Sequence, residues 1–285
     1  MIIDGKLENV KRPGKSFIFD TSKELSERNQ MHYEALCEAI DEHVYKLLEE
    51  EDLERLPVPK ASCSTIEFQS FIYASKDSLQ NDKLIILVNG CGAKAGQWSR
   101  HTIIHDNFYY GTQISYIREA KKLGYGILVL NINDNFRITA EYMHSIPGSE
   151  DGYEHLSTVW NDYVLDCKAK NIAIIAHDFG GDCIVQYKMI FGEKFKDRVF
   201  AIALISSMRL IRWKDSNLED VIKTWDNKLD LKVKRVKTSK NRTFNCLINE
   251  NNRENLPYLC MTPVFTYIQS KYLLKNDRKL SDGSS

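Results

Sequence analysis

The chain lacks the features that mark several classes of protein. Lys plus Arg and Asp plus Glu both number 39, so no net charge attracts nucleic acid or an anionic membrane over a long range. No run approaches the ~18 apolar residues of a membrane span, and the first residues carry no basic region followed by an apolar one. We therefore predict a protein without a membrane span that is not secreted, and any contact with nucleic acid must use a local patch.

Cysteine is sparse, and its spacing indicates no pairing. Seven cysteines are spread along 285 residues without a C-x-x-C pair. This pattern favours reduced thiols over a disulfide framework or a zinc site. We expect no metal and no cofactor, in a chain long enough to bury one large core.

Periodicity divides the chain into a polar arm and one domain. Residues 1–28 are polar and weakly patterned, which predicts an N-terminal arm. Residues 29–56 place apolar side chains three and four positions apart, which predicts an amphipathic helix that ends before Pro57. Its apolar face consists of Tyr33, Leu36, Ile40, Val44, Leu47 and Leu48. We expect residues 29–285 to form a single domain.

From residue 66 to about 210, short apolar runs alternate with longer amphipathic segments. Such runs are typical of strands buried on both faces of a parallel sheet. The predicted strands are Glu67–Ala74, Leu84–Val88, Ile127–Asn131, Ile172–Ala176 and Val199–Ile205. The predicted helices are Thr112–Leu123, Tyr153–Lys170 and Gly181–Phe191, with a last helix from Pro263 to Leu274. The fold class is therefore α/β, with a mainly parallel central sheet and helices on both faces.

The stretch I-I-A-H-D-F-G-G, residues 174–181, places polar residues between an apolar run and two glycines. That is the strand, sharp turn and helix of a nucleophile elbow, normally written G-x-S-x-G. Ala176 stands at the first glycine position, Asp178 at the nucleophile position and Gly180 at the last. The elbow residues are His177, Asp178, Phe179 and Gly180. The pattern indicates an α/β-hydrolase-like fold.

A glycine-rich loop, V-N-G-C-G-A-K-A-G at residues 88–96, follows the Leu84–Val88 strand. In this fold the oxyanion hole uses the backbone N–H after the nucleophile, here that of Phe179, and another from such a loop. The loop residues expected to face the elbow are Asn89, Gly90, Cys91 and Gly92. We predict that loop and elbow meet at the carboxyl edge of the sheet.

An aspartate nucleophile is chemically feasible, and H-D-F-G-G resembles the elbow of epoxide hydrolases and haloalkane dehalogenases. Hydrolysis of the resulting ester needs a base, which in this fold is a histidine downstream of the elbow. The histidines are at 32, 43, 101, 105, 144, 155 and 177, so none follows the elbow. We therefore expect no catalysis and interpret Asp178 as a helix N-cap, whose carboxylate accepts backbone N–H bonds. The alternative is an epoxide hydrolase-like or esterase-like enzyme that uses Asp178 or a rearranged triad with His101 or His105.

A basic run, K-L-D-L-K-V-K-R-V-K-T-S-K-N-R, occupies residues 228–242. It has seven positive residues and one negative residue. Alternation of apolar residues with lysines favours an exposed edge strand whose charges discourage aggregation. A phosphate-binding patch is the alternative. Its candidate nucleic-acid contacts are Lys232, Lys234, Arg235, Lys237, Lys240 and Arg242.

Five stretches between about residues 29 and 210 carry a family resemblance. They are N-Q-M-H-Y-E-A-L-C-E-A-I-D-E-H-V-Y-K-L-L, A-G-Q-W-S-R-H-T-I-I, G-T-Q-I-S-Y-I, G-Y-G-I-L-V-L-N and I-I-A-H-D-F-G-G. They resemble the Arb-two-like family, cotranscriptional regulators related to an argonaute-binding subunit of small-RNA silencing complexes. The resemblance implies an α/β-hydrolase-like fold, argonaute, chromatin or splicing factors as partners, and a mostly nuclear location. For this chain we predict a location in the nucleus, the cytoplasm or both.

The chain departs from that family at each triad-like position. Relatives carry serine at the position of Asp178 and histidine-glycine where this chain has Asn89-Gly90. After the strand that ends at Ile205 they have an aspartate and then a histidine, where this chain has Ser206 to Arg209. We therefore predict a non-catalytic interaction protein that binds partners through apolar surface such as the helix Tyr33 to Leu48. A nucleic-acid binder acting through residues 228–242 is the other alternative.

Overall fold

The computed structural model describes residues 1–11, 14, 26–60, 68–139, 141–207, 221–227, 246–248 and 255–282. The strands in these ranges are β1 (Ile2–Ile3), β2 (Lys6–Leu7), β3 (Leu53–Val58), β4 (Ser70–Ser75), β5 (Lys83–Val88), β6 (Gly126–Val129), β7 (Phe136–Ile138), β8 (Met143–Ser145), β9 (Asn171–His177), β10 (Val199–Ile205), β11 (Ile222–Asn227) and β12 (Cys246–Ile248). The α-helices are α1 (Ser26–Glu50), α2 (Arg100–His105), α3 (Ile114–Lys122), α4 (Gly152–Val159), α5 (Phe179–Lys196), α6 (Leu256–Leu259) and α7 (Met261–Asp282).

A mainly parallel sheet forms the centre of the protein. In the described ranges its strand order is β12-β11-β10-β9-β5-β6-β4-β3. The pairings from β12 to β6 are parallel, whereas β4 and β3 join antiparallel at one edge. The prediction of an α/β-hydrolase-like fold with a mainly parallel sheet is confirmed.

Alternate side chains of each central strand enter two separate cores. Ile85 and Leu87 of β5 pack on one face, against α1, α3 and α7. Leu84 and Ile86 pack on the other face, against α4 and α5. Because both faces are covered by helices, the inner strands are apolar along most of their length, which is why their runs are visible in the sequence.

The chain leaves β5 in one direction across the sheet and later leaves β9 in the other. β6 lies beside β5 on one side, while β10 lies beside β9 on the opposite side. The loops that follow β5 and β9 therefore diverge at a topological switch point, where open α/β sheets place their binding sites.

The predicted helix 29–56 is wrong at its end. Helix α1 stops at Glu50, Asp52 adopts a left-handed φ of 56°, and Leu53–Val58 forms the edge strand β3. Leu53 and Val58 are buried against the sheet, so tertiary packing overrides the helical propensity of the glutamates. Pro57 is tolerated because an edge strand needs only one side of its backbone for pairing.

The apolar face of α1 is not a free surface. Ile40, Val44 and Leu48 are buried in the core on the α1 side of the sheet, and Tyr33, Leu36 and Leu47 pack against it. The expectation that partners bind the helix Tyr33 to Leu48 is therefore wrong, because the sheet already covers this face.

The first residues belong to the folded body. Strands β1 and β2 pair as a hairpin, and the Phe108 N–H donates to the Gly5 carbonyl at 2.6 Å. The polar arm predicted for residues 1–28 therefore does not describe residues 1–11, and most of the remaining stretch before α1 lies outside the described residues.

The predicted helix Tyr153–Lys170 is shorter than expected. α4 continues into a π-helical turn, Trp160–Val164, and then ends. The Arg198 guanidinium accounts for the ending, since it donates to the carbonyls of Val164, Leu165, Cys167 and Ala169. None of the described helices is both long enough and apolar enough to cross a membrane. The basic run at 228–242 lies outside the described residues.

Candidate functional site

Asp178 occupies the sharp turn between β9 and α5. Its backbone has φ 47° and ψ −122°, a conformation that few non-glycine residues adopt. The Asp178 N–H donates to the Ile205 carbonyl at 2.9 Å, and the Gly181 N–H donates to the Asp178 carbonyl at 3.0 Å. These bonds hold the turn in its strained geometry, which is that of a nucleophile elbow.

Two glycines allow α5 to begin directly against its neighbours. A Cβ on Gly180 would fall against the Asn89 carbonyl oxygen, and one on Gly181 would fall against the Ser207 hydroxyl. The elbow therefore needs glycine at both positions, because the start of α5 lies against the backbone after β5 at Gly180 and against the Ser207 side chain at Gly181.

The carboxylate of Asp178 faces the loop after β5. Its Oδ2 accepts a hydrogen bond from the Cys91 N–H at 3.2 Å. A Cβ on Gly90 would lie 3.2 Å from the Asp178 Cβ, so the loop and the elbow are in direct contact. The structure thus brings the predicted loop residues and the predicted elbow residues together at one edge of the sheet.

The interpretation of Asp178 as a side-chain cap is wrong. Asp178 is the N-cap residue of α5 by position, but its side chain makes no capping hydrogen bond to the helix. The strained turn directs the carboxylate away from the first turn of the helix and toward Cys91. The sequence shows a carboxylate beside a helix start, whereas the choice between two nearby N–H donors depends on the loop from another strand.

His177 is buried beneath the loop rather than directed at Asp178. Its ring lies 6.2 Å from that of Trp98, and a Cβ on Gly90 would lie 2.7 Å from His177 Nδ1. Burial lowers the pKa of His177 to about 4, against the opposing effects of the Asp178 charge and a hydrogen bond to the Trp98 backbone. The imidazole is therefore neutral at pH 7, and Nδ1 has no hydrogen-bond partner in the described part of the chain.

Asparagine side chains hold the loop after β5 in place. Asn133 Nδ2 donates to the carbonyls of Gly90 and Ala93, both at 2.7 Å, and the Ala95 N–H donates to Asn131 Oδ1 at 3.0 Å. Asn89 is fully buried and donates to the Ala93 carbonyl. The loop is thus held by side chains of the N-I-N-D-N sequence, residues 131–135, which follows β6, and this asparagine-rich run is the feature of the sequence that indicates the network.

His155 joins the same network from α4. The Ser149 hydroxyl donates to the Asp134 carbonyl at 2.8 Å, so it accepts from His155 Nδ1–H, also at 2.8 Å. His155 Nε2 then accepts from the Asn131 N–H at 3.2 Å. Both ring nitrogens have partners only in this neutral tautomer, and burial lowers the pKa of His155 to about 4.

The end of β10 supplies two serines where the resemblance implies acid and base. Ser206 has a left-handed φ of 52°, and the Ser207 hydroxyl donates to the Asp178 carbonyl at 3.2 Å. Ser207 therefore supports the backbone of the elbow. In the described residues no group of three or more His, Cys, Asp and Glu side chains is arranged to hold a metal ion.

The elbow and the loop form one polar site with a negative group at its centre. The Cys91 N–H, which would belong to an oxyanion hole, donates to the Asp178 carboxylate. In a serine-type mechanism the oxyanion develops on the substrate, and it would compete for this donor beside the charge of the carboxylate. In an aspartate mechanism the oxyanion develops on the ester of Asp178 itself, so the hydrogen bond argues against the first mechanism and not against the second.

Comparisons with known proteins agree with this architecture. The family model described as the Arb2 domain matches residues 3–225. The chain is 30% identical over 256 residues to the mouse protein named cotranscriptional regulator ARB2A, covering 72% of this chain and 61% of the relative. It is 35% identical over 205 residues to a FAM172 family protein homolog of Caenorhabditis elegans, covering 71% and 60% respectively. The chain thus spans about three fifths of the length of these relatives.

Two solved structures resemble the fold. The histone deacetylase Clr3 matches with a TM-score of 0.53 at 16% identity, over 82% of this chain and 38% of Clr3. A histone deacetylase from Saccharomyces cerevisiae also gives a TM-score of 0.53, at 15% identity, over 83% of this chain and 98% of that chain. At such identities the likeness concerns the fold alone.

Proposed function

Because this chain belongs to the Arb2 domain family, we propose that it is a non-catalytic interaction protein built on an α/β-hydrolase-like scaffold. The observation that carries the proposal is that no histidine follows the elbow in the sequence, so an ester formed on Asp178 would have no base in the usual place to hydrolyse it. His177 does not replace that base, because its ring is buried beneath the loop and packs beside Trp98.

We assign its activity to cotranscriptional regulation, with protein partners from the argonaute, chromatin or splicing machinery and a location that includes the nucleus. The relatives named cotranscriptional regulators support the regulatory role. The partners and the location are carried over from the family resemblance of the sequence. The match to the Arb2 domain over residues 3–225 includes both the elbow and its loop.

Lack of turnover can be tested with p-nitrophenyl acetate and styrene oxide as probes. We expect neither hydrolysis that depends on Asp178 nor an accumulating ester adduct in the intact mass of the protein. Asp178→Asn should behave like the wild type, as should Asp166→Asn, an exposed carboxylate away from the elbow. Hydrolysis that disappears in Asp178→Asn but persists in Asp166→Asn would assign catalysis to the elbow and overturn the proposal.

The interaction role is tested by affinity capture from nuclease-treated nuclear extract, with quantitative mass spectrometry of the captured proteins. We expect argonaute, chromatin or splicing proteins to be enriched over a control capture with an unrelated α/β protein. Absence of all three groups would contradict the assignment of partners but not the lack of turnover.

A further inference from the structure

The hairpin of β7 and β8 presents an apolar face to solvent. Its register pairs Phe136 with Ser145, Arg137 with His144, and Ile138 with Met143. Side chains of directly paired residues lie on the same face, so Phe136, Ile138 and Met143 share one face and Arg137 and His144 the other. Phe136, Ile138 and Met143 are 49%, 83% and 65% exposed. We call this surface the hairpin face.

The opposite face fixes the hairpin to the body. Arg137 makes a bidentate pair with Asp134, at 2.8 and 3.0 Å, and donates to the Gln69 carbonyl at 2.7 Å. The His144 ring meets Phe68 edge-on, with 5.7 Å between ring centroids. Because this side is held by charge-assisted hydrogen bonds, the orientation of the hairpin face is set by the body.

Strand β8 of the hairpin also has backbone N–H groups that point away from its partner strand β7. The Ile146 N–H donates to the Asn135 carbonyl and the Thr139 N–H to the Tyr142 carbonyl. Hydrogen-bonded pairs alternate along an antiparallel ladder, so the amides of Met143 and Ser145 point away from β7. All three residues of β8 are exposed, which leaves room for another strand beside it.

The size and charge of this surface indicate the kind of partner. Three side chains of this size can contribute only about 400 Å², roughly half of the ~800 Å² per partner in a stable protein dimer. The hairpin face is therefore too small for a second copy of this chain. It carries no charged side chain, so a complementary ligand is an uncharged, apolar segment.

We propose that β8 binds a short extended segment of another protein by strand addition, with alternate apolar side chains of that segment on the hairpin face. The backbone of the segment pairs with the outward amides of Met143 and Ser145. Its apolar residues lie beside Met143, and the long side chains among them extend across β8 toward Phe136 and Ile138 of β7, about 10 Å away. The proposal rests on the proposed interaction function only in taking the ligand to be a protein, and it does not involve the elbow.

The test uses a phage library of random seven-residue peptides selected on the full chain. We expect the enriched peptides to carry apolar residues at alternate positions. Synthetic copies should bind Ile138→Gln/Met143→Gln at least about tenfold more weakly by fluorescence anisotropy. Leu273→Gln/Leu274→Gln is the matched control, because these leucines of α7 are 60% and 52% exposed, and it should bind like the wild type.

Two measurements on the wild type make the test independent of how the variants fold. Hydrogen exchange of the Met143 and Ser145 amides should slow when peptide binds. N-methylation of the peptide amides that pair with β8 should abolish binding, while N-methylation of the amides on the opposite edge of the peptide should leave the affinity unchanged.

Strand addition is wrong if no peptide is enriched, if both double variants bind the peptides equally, or if the Met143 and Ser145 amides exchange at the same rate with and without peptide. Slowed exchange without peptide, together with dimer formation, would assign the surface to a second copy and also overturn the proposal. None of these results affects the test of turnover or the enrichment of partner proteins by the wild-type chain.

Discussion

At the scale of single residues, Asp178 shows that an aspartate in this turn is compatible with several roles, namely nucleophile, helix cap and hydrogen-bond acceptor for a neighbouring loop. Its φ of 47° is a conformation that asparagine and aspartate adopt more readily than most other non-glycine residues. The same geometry directs a nucleophile out of the sheet in a hydrolase and here directs a carboxylate onto the Cys91 N–H. The chemistry of the elbow therefore depends on the loop that meets it.

The carboxylate of Asp178 should be replaceable by an amide but not by a methyl group. Asp178→Asn retains an acceptor for Cys91 and tolerates the left-handed turn, so we expect a loss of less than about 1 kcal/mol in the free energy of unfolding. Asp178→Ala loses the hydrogen bond and should cost about 1–2 kcal/mol. Urea unfolding measures both variants, and exchange of the Cys91 amide should accelerate only in Asp178→Ala. An unchanged rate in that variant would contradict the role assigned to the carboxylate.

His155 should make the fold sensitive to acid. The unfolded chain binds a proton on this residue below about pH 6.5, whereas burial lowers the pKa of His155 and keeps it neutral in the folded protein down to about pH 4. The unfolded state therefore takes up more protons between these values, and stability falls as the pH falls through this window. His155→Gln should lower stability at pH 7, because it disturbs the bonds to Ser149 and Asn131, yet flatten the pH dependence between about pH 6.5 and 4.

Urea unfolding across pH measures this effect. One proton contributes at most about 1.4 kcal/mol per pH unit to the slope. Burial also lowers the pKa of His177 to about 4, so His155→Gln should remove part of the slope and not all of it. Equal slopes for wild type and His155→Gln would show that His155 does not contribute to the acid sensitivity.

At the scale of elements, the elbow depends on contact between the start of α5 and the end of β5. A Cβ on Gly180 would meet the Asn89 carbonyl oxygen and lie 2.9 Å from Val88 Cγ1. Since a backbone oxygen cannot rotate away, we expect Gly180→Ala to lower the free energy of unfolding by about 3 kcal/mol. Gly92→Ala is the control, because no atom lies within 4 Å of its Cβ and only its φ of 68° opposes alanine. That should cost about 1 kcal/mol. Similar losses for both variants would mean that the contact at Gly180 contributes little.

The inner strands of the sheet could be predicted from the sequence, whereas the edge strand β3 and the short helix α2 could not. Val199–Ile205 is a strand over the predicted range because burial on both faces requires apolar residues throughout. Residues 53–56 are predicted as helix because an edge strand is half exposed and Leu, Glu and Arg have helical propensity. Helix α2 has six residues, too few for periodicity to indicate it.

The candidate site also has a part that the sequence predicts and a part that depends on contacts formed only in the fold. The loop and the elbow could be placed together from their positions after two neighbouring strands. The roles of Asn133 and His155 could not be predicted, since their partners Ala93 and Asn131 lie 40 and 24 residues away along the chain and meet them only in the packed fold. The direction of the Asp178 side chain was predicted wrongly for the same reason.

At the scale of the whole molecule, the balance of charge argues against binding to nucleic acid as the main activity. Lys plus Arg and Asp plus Glu both number 39, so the basic run at 228–242 would have to act as a local patch. Such a patch loses affinity with salt, with a slope of about −0.7 to −0.9 per phosphate contacted. A scaffold that binds proteins through apolar surface should be much less sensitive.

We expect captured partner proteins to survive both nuclease and salt. The comparison uses wild type and a variant with Lys232, Lys234, Arg235 and Lys237 changed to glutamine, which removes four of the seven positive charges of the run. Capture from nuclease-treated extract should be equal for both, because the apolar hairpin face lies elsewhere in the chain. A second variant, Ile138→Gln/Met143→Gln, should reduce capture while retaining the thermal unfolding midpoint of the wild type. If capture instead fails after nuclease treatment or in the folded lysine variant, the basic run binds nucleic acid and the partners are held through it.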